Sequence, residues 1–134
     1  MLSRFADWEF DAAIIHLFTG HKRYEGIDII GVAGMSHPES HIVRGNFTKL
    51  LDQAYLLKVM GVVVGATRPE MIREARRRLP EILIFSPGVG FQGAKPGEAL
   101  KAGADFEIVG RSITLSDDPK EAARQVVEME RENL

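Results

Sequence analysis

Short apolar runs of strand length alternate along this chain with longer segments in which apolar residues recur at helical spacing. The apolarity of these runs is nearly continuous rather than strictly alternating, which indicates strands covered on both faces. The runs cover residues 12–18, 27–33, 62–65, 82–85 and 106–109. Repeated β-α units joined by short loops predict a parallel sheet with helices outside it, and both a doubly wound sheet and a barrel fit this pattern.

Local signals mark where several helices begin and end. Asn46 is expected to cap the helix that follows it. Residues 67–70 and 118–121 each place a capping side chain three positions before a glutamate, with proline in the first turn, where its missing N–H costs little. Gly103 is expected to end a helix in the left-handed conformation.

Composition narrows the class of protein. A length of 134 residues fits one domain, and 45% hydrophobic with 27% charged residues is an ordinary globular balance. The net charge of -2 gives no general attraction to nucleic acid or an anionic membrane, and no apolar run is long enough to span one. The absence of cysteine excludes disulfides, thiolate metal sites and a cysteine nucleophile, and fits a cytoplasmic protein.

A glycine-rich loop follows the run at 82–85. Its residues are Ser86, Pro87, Gly88, Val89, Gly90, Phe91, Gln92 and Gly93. Glycines let a backbone turn tightly and present several N–H groups to one anion, and the Gln92 amide can donate to an oxyanion. Taken alone, the loop is equally well explained as a turn that binds nothing.

Gly110 and Arg111 follow the last apolar run. An arginine at the end of a buried strand suits a phosphate with its planar fork, although a lone arginine more often forms a surface salt bridge. In (β/α)8 barrels the loops after strands seven and eight often build a phosphate site, and the two loops of this chain follow its last two strands. The sequence therefore predicts a phosphorylated small-molecule ligand.

The chain resembles the archaeal-type orotidine 5′-monophosphate decarboxylases, whose motifs it matches in order and spacing over nearly its whole length. The matching segments are Gly34-Met35-Ser36-His37-Pro38, Ala66-Thr67-Arg68-Pro69-Glu70, the glycine loop and Val109-Gly110-Arg111-Ser112-Ile113. Residues 12–20 resemble the fourth strand of the family and the loop after it. The resemblance implies an α/β fold of the TIM (β/α)8-barrel family with about the last five β/α units present. Residues 1–134 would form a single partial barrel domain with strands four to eight.

The resemblance also implies a role for each matching residue. Ser36 would hydrogen-bond the pyrimidine ring of orotidine or uridine monophosphate (OMP or UMP). The segment from Pro87 to Gly93 would fold over the nucleotide, with Gln92 reaching the phosphate, and Gly110 and Arg111 would close the phosphate site. The family uses no metal or organic cofactor.

One departure from the family concerns catalysis. The family carries an Asp-x-Lys-x-x-Asp motif on its third strand and an Asp and a Lys on the first two, which place charge at the reacting carboxylate and supply a proton. The only Asp-x-Lys here, Asp118 to Lys120, is followed by Ala123 where the second Asp would stand. We therefore expect no catalytic residue in these 134 residues and no decarboxylation by this chain alone.

Four further interpretations accompany this one. A hexulose-phosphate-synthase-like barrel would share the phosphate site, and a half-barrel could bind nucleotide phosphate without catalysis. His37 and His41 have a metal-like spacing, but the proline between them favours a helix start over a metal site. Residues 73–78 carry four arginines, which are expected to form a solvated helix face.

Assembly follows from the strand count. Five strands cannot close an eight-stranded barrel, so the runs at 12–18 and 106–109 would be exposed edges beside an uncovered apolar face. We expect a homo-oligomer, formed by edge pairing or by exchange of residues 1–10.

Overall fold

The computed structural model describes residues 7, 9–19, 27–37 and 40–134, and these ranges form one layer of strands with helices beside it. The strands are β1 (Ala12–His16), β2 (Asp28–Val32), β3 (Gly61–Val63), β4 (Leu83–Pro87) and β5 (Phe106–Ile108). The helices are α1 (His41–Gly45), α2 (Phe47–Leu57), α3 (Pro69–Arg78), α4 (Glu98–Ala102), α5 (Arg111–Thr114) and α6 (Pro119–Asn133). The five predicted runs therefore each contain a strand. The first run was predicted too long, because Leu17–Thr19 turns into a 3-10 helix.

All five strands are parallel and stand in the order β1-β2-β3-β4-β5. A doubly wound sheet would reverse its strand order at a switch point, whereas each strand here lies beside its neighbour in sequence. Strictly sequential parallel order is the arrangement of a barrel wall. The structure thus separates the two architectures that the sequence left open.

The two faces of the sheet differ in burial. The face toward the helices is packed with Ala13, Ile29, Val62 and Ile84, all buried. The register and the pleat place Ile14, Phe85, Phe106 and Ile108 on the other face. On that face Ile14 is 64% exposed and Phe106 is 49% exposed. The expectation of strands covered on both faces is therefore confirmed for β3, whose three residues are all buried, and is wrong for the outer strands β1 and β5.

Two of the predicted helix caps are replaced by other contacts. Asn46 stands at the N-cap of α2, but its side chain donates to the Ile42 carbonyl of α1 at 2.9 Å rather than accepting from α2. The first residue of α3 is Pro69, and Thr67 forms no capping box with Glu70. Its hydroxyl donates instead to the carbonyl of Ser36 at 3.0 Å.

The other two helix boundaries are confirmed. The Asp118 carboxylate accepts from the Glu121 N–H at 3.0 Å at the start of α6. Gly103 ends α4 with a φ of 109°, a conformation that glycine adopts without steric cost.

Arg76 is not on a solvated face, which corrects the prediction for the arginine run. Its guanidinium donates to the carbonyls of Gly103 at 2.9 Å, Pro80 at 2.8 Å and Ile82 at 3.1 Å, and forms a 2.5 Å ion pair with Asp105. The Asp105 carboxylate also accepts from the Ile84 N–H at 2.7 Å. Arg76 thereby joins the end of α3 to the segments that lead into β4 and β5. Arg77, by contrast, pairs among the described residues only with Glu74 on its own helix.

None of the described helices is both long enough and apolar enough to cross a membrane.

Candidate functional site

The predicted binding residues meet at the carboxyl ends of the strands. Ser36 follows β2, Pro87 ends β4 and begins the glycine loop, and Gly110 and Arg111 follow β5. Together they border a cavity of about 210 Å³. Its lining consists of Ser36, Pro87, Gly88, Val89, Phe91, Gln92, Ile108, Gly110 and Arg111. The cavity thus contains eight of the ten residues predicted from sequence, and the other two, Gly90 and Gly93, shape the loop.

Gly65 and Thr67 hold Ser36 in place. A Cβ on Gly65 would stand 2.7 Å from the backbone nitrogen of Ser36, so only glycine lets the two segments approach this closely. The Thr67 hydroxyl donates to the Ser36 carbonyl. The backbone at the tip of β2 is therefore fixed by the segment that follows β3. No local sequence signal indicated these two supporting residues, because they act across 29 and 31 positions of the chain.

The side chains of Ser36 and Gln92 contact each other across the cavity. The Ser36 hydroxyl donates to the Gln92 carbonyl oxygen at 2.6 Å. Gly88, with a φ of 106°, permits this approach, since a Cβ there would meet Gln92 Oε1 at 2.8 Å. The Gln92 side chain therefore uses its oxygen toward Ser36, which leaves its amide N–H groups to donate elsewhere.

Two N–H groups of the glycine loop donate to carbonyls of the loop itself and of the residue that follows it. Gly90 and Gly93 both have positive φ, at 74° and 103°. The Gly90 N–H donates to the Ala94 carbonyl at 2.7 Å, and the Gly93 N–H donates to the Gly90 carbonyl at 2.9 Å. The N–H groups of Gly90 and Gly93 are thus occupied within the loop and are not among those that could face an anion. The Phe91 and Gln92 amides have no backbone acceptor within the described ranges.

Arg111 lies over the ring of Phe91. Its guanidinium carbon stands 3.8 Å from the ring centroid, within the range of a cation–π contact. No ion pair of the described residues includes Arg111, so the surface salt bridge weighed above does not form among them. Among the described residues, Arg111 is the only fixed positive side chain that lines this cavity, and it is held by a neutral ring.

Ile108 is a lining residue that the sequence prediction missed. It is 43% exposed on the open face of the sheet, two positions before Gly110. Alternation along β5 could have indicated it, because residues two apart on a strand share a face.

Larger cavities exist elsewhere, but they lack this convergence. A groove of about 350 Å³ lies between the C-terminal halves of α2 and α3, beside the ion pair of Arg78 with Asp52 at 3.2 Å. Its walls otherwise come from Leu51, Tyr55, Leu56 and Leu79. The groove lies away from the carboxyl ends of the strands, where the polar groups of parallel α/β proteins usually meet their ligands. The smaller cavity is therefore the candidate functional site because of the polar groups that line it and its place at the strand ends, not because of its volume.

The described residues contain no group of three or more His, Asp or Glu side chains placed to hold a metal ion. His37 belongs to the turn before α1, where its carbonyl accepts from the Ser40 hydroxyl at 2.8 Å. His41 is the first residue of α1. Both histidines thus occupy a helix start, as the proline between them indicated.

Comparison with known families decides the relationship. The profile of the orotidine 5′-phosphate decarboxylase / HUMPS family matches residues 5–126. This chain belongs to that family. The resemblance found in the motifs is therefore confirmed, and the order of its segments reflects common descent rather than chance.

Individual members of the decarboxylase family agree. The orotidine 5′-phosphate decarboxylase of Aeropyrum pernix is 44% identical over 131 residues, covering 89% of this chain. The crystal structure of orotidine 5′-monophosphate decarboxylase from Metallosphaera sedula matches 99% of this chain with a TM-score of 0.86 and 36% identity. The corresponding enzyme from Methanocaldococcus jannaschii, solved in complex with the inhibitor BMP, matches 96% of this chain with a TM-score of 0.82 and 31% identity.

This chain spans only part of each decarboxylase relative. It covers 54% of the Aeropyrum pernix protein and 66% of the Metallosphaera sedula structure. The solved relatives are TIM barrels, and the sequential five-stranded sheet is part of such a barrel. The fold class inferred from sequence is thus confirmed as a partial (β/α) barrel.

Proposed function

We propose that this chain carries the nucleotide-binding part of an orotidine 5′-monophosphate decarboxylase, the enzyme that converts OMP to UMP and carbon dioxide in pyrimidine synthesis. The observation that carries the proposal is the cavity at the strand ends, where Arg111, Gln92 and Ser36 meet. Its five strands would be strands four to eight of the barrel, in one domain over residues 1–134. Family membership supports the reaction class, a carboxy-lyase.

The phosphate would bind at the Arg111 side of the cavity. The planar fork of Arg111 can donate two parallel hydrogen bonds to phosphate oxygens, and no carboxylate in the described ranges competes for it. The Gln92 amide and the free N–H groups of Phe91 and Gln92 add donors from the loop. Pro87, Gly88, Val89 and Gly110 would form the walls around the nucleotide.

The pyrimidine ring would bind at the Ser36 side. The Ser36 hydroxyl and the Gln92 carbonyl oxygen already form a pair at 2.6 Å, so a base that reached them would exchange this contact for its own hydrogen bonds. Gln92 would then connect the base site to the phosphate site. That the Methanocaldococcus jannaschii relative was solved with the inhibitor BMP supports a small nucleotide-like ligand for this cavity.

Chemistry on the bound nucleotide would need groups that these residues do not contain. The Asp-x-Lys-x-x-Asp motif does not occur in the 134 residues. The described lysines lie in helices, at the end of α2 or in the glycine loop's continuation, and none lies in a strand. We therefore propose that the isolated chain binds nucleotide without decarboxylating OMP, with no metal or organic cofactor involved. Lys22, which lies outside the described residues, is the first candidate should activity be found.

A hexulose-phosphate-synthase-like function is the main alternative, because the phosphate end of the cavity would serve either substrate. The contact between Ser36 and Gln92 favours the decarboxylase, since it offers hydrogen-bonding groups for a pyrimidine base. A non-catalytic half-barrel that binds nucleotide phosphate is favoured only by the missing Asp-x-Lys-x-x-Asp motif.

Self-association is the second part of the proposal. The open face of the sheet exposes Ile14 and Phe106 beside the edge strands β1 and β5. Apolar faces of this kind are usually covered in a stable protein. We propose a cytoplasmic homo-oligomer in which the open face is buried.

Light scattering at micromolar concentration should show a dimer or larger species, and Phe106→Lys should shift it toward monomer. A wild-type monomer that melts cooperatively would contradict self-association. Exchange of residues 1–10 stays a prediction, since most of them lie outside the described residues.

The function itself is tested by titration calorimetry of UMP and uridine into the purified chain. We expect UMP to bind at least tenfold more tightly than uridine, because a charge-assisted phosphate contact contributes about 1.5–3 kcal/mol. A direct assay of OMP loss with the same preparation should show no turnover. Equal affinity for UMP and uridine would contradict the phosphate site. OMP turnover by the wild type that Arg111→Ala abolishes would contradict the proposed absence of chemistry.

A further inference from the structure

The contact between Phe91 and Arg111 joins two separate parts of the cavity wall. Phe91 stands on the glycine loop after β4, and Arg111 begins α5 after β5. A second contact runs beside it, since the missing side chain of Gly90 makes room for the side chain of Ser112. The loop is therefore seated on the first turn of α5 at two consecutive positions.

The way in which Arg111 is held determines what it can still bind. A guanidinium that stacks on an aromatic ring uses its face, and its N–H donors point outward in its own plane. An arginine held by a carboxylate would instead donate its N–H hydrogen bonds to that carboxylate. Phe91 thus restrains the Arg111 side chain while the N–H edge of the Arg111 guanidinium stays free.

Phe91 has little structural reason to be aromatic. Its side chain is 59% exposed, so burial of its ring contributes little to stability. Its neighbours on the loop, Gly90 and Gly93, both have positive φ, and the loop closes through the Gly90 N–H bond to the Ala94 carbonyl. An exposed ring at the tip of such a turn is explained by what it contacts, which is Arg111.

We propose that Phe91 is a positioning residue for phosphate binding, holding the Arg111 guanidinium over the cavity with its donors free. The inference rests on the proposed function, because it assigns how the same site is prepared for its ligand. Without the ring, the Arg111 side chain would stay mobile until the phosphate binds. Its ordering would then cost conformational entropy at the binding step, and the affinity for the phosphate would fall. The ring also links loop and arginine, so that the donors of Gln92 and Arg111 are presented together.

The test compares substitutions that differ in the π face alone. Titration of UMP should show Phe91→Leu binding about two- to fivefold more weakly, the range expected for an exposed cation–π contact. Phe91→Trp should bind at least as tightly as wild type, because tryptophan is the best aromatic partner for a cation. Phe18→Leu is the matched control, since it makes the same change at a ring of similar exposure, 56%, that does not line the cavity.

Two further readouts separate positioning from a general structural effect. In an Arg111→Ala background, Phe91→Leu should cause no additional loss, and uridine binding should not respond to Phe91→Leu at all. In NMR spectra of the free chain, the Arg111 Nε–H resonance should carry a ring-current shift that disappears in Phe91→Leu.

The outcomes distinguish the two proposals. Wild type that binds UMP more tightly than uridine, with Phe91→Leu unchanged, would overturn the positioning role alone. An equal loss in the Arg111→Ala background would overturn it as well. Wild type that binds UMP no better than uridine would overturn the proposed function, and the positioning role with it, even where the ring-current shift is present.

Discussion

Two arginines at opposite ends of the parallel sheet have opposite surroundings. Arg76 lies where the chain leads into β4 and β5, and its guanidinium is engaged by four carbonyls and the Asp105 carboxylate. Arg111 lies where β5 ends, and its contact is the face of the Phe91 ring. The N–H donors of Arg76 are occupied by the protein, whereas those of Arg111 are available to a ligand.

The difference separates stability from binding. Donors that are satisfied inside the fold contribute to the free energy of unfolding, because removing them leaves carbonyls and a carboxylate without partners. Donors that are held but unsatisfied contribute little to the fold and are suited to an anion from solution. In barrel enzymes the two ends of the strands divide in the same way, with ligands at the carboxyl end.

The largest effect on stability is expected at the Arg76 end. Arg76→Ala should lower the free energy of unfolding by about 2–3 kcal/mol, since it removes several charge-assisted hydrogen bonds at once. Arg77→Ala is the matched control on the same helix, and it should change the free energy by less than about 0.5 kcal/mol because its one ion pair is exposed. Urea denaturation followed by circular dichroism measures both. Similar values for the two variants would remove the distinction between the two ends.

A smaller effect on the free energy of unfolding is expected where the carboxyl groups of Glu107 and Glu130 lie close together. The Glu107 carboxylate accepts from the Gly97 N–H at 2.8 Å and the Ala99 N–H at 2.9 Å at the start of α4. Burial and the neighbouring Glu107 raise the pKa of Glu130 on α6. The folded chain therefore holds this proton above pH 4.5, the unfolded value, and stability falls as pH rises from there through the folded pKa.

Glu130→Gln should remove that loss. We expect it to raise the free energy of unfolding by about 0.5 kcal/mol at pH 7 and to leave it unchanged near pH 4. The control is Glu132→Gln, which removes the same charge from an exposed position of α6. Melting temperatures recorded across this pH range provide the measurement. A gain of equal size at both pH values, or an equal gain for the control, would rule out the carboxyl pair as its cause.

The sequence indicated most of what depends on local pattern. The strand runs were recognisable from continuous apolarity, and the cap at Asp118 and the helix end at Gly103 follow from the chemistry of single residues. The convergence of Ser36, the glycine loop and Arg111 was predictable because the carboxyl ends of parallel strands share one edge of the sheet.

The contacts that were not predicted are those made over long distances in the chain. Thr67 has the spacing of a capping residue, yet it bonds Ser36, 31 positions away. Arg76 belongs to a run that reads as a solvated face, yet it bonds Gly103, 27 positions away. In each case a tertiary partner competes with the local one, and only the folded chain shows which prevails. The stack of Phe91 with Arg111 has no sequence signal at all.

The binding role of the carboxyl end is tested most directly by titrating UMP into Arg111→Ala and Arg77→Ala side by side. Both variants remove one exposed arginine and one positive charge, so a general change in electrostatic attraction affects them equally. We expect Arg111→Ala to bind UMP at least tenfold more weakly than wild type, with an unchanged melting temperature, and Arg77→Ala to bind as wild type does. Equal UMP affinity in the two variants would contradict a phosphate site at Arg111.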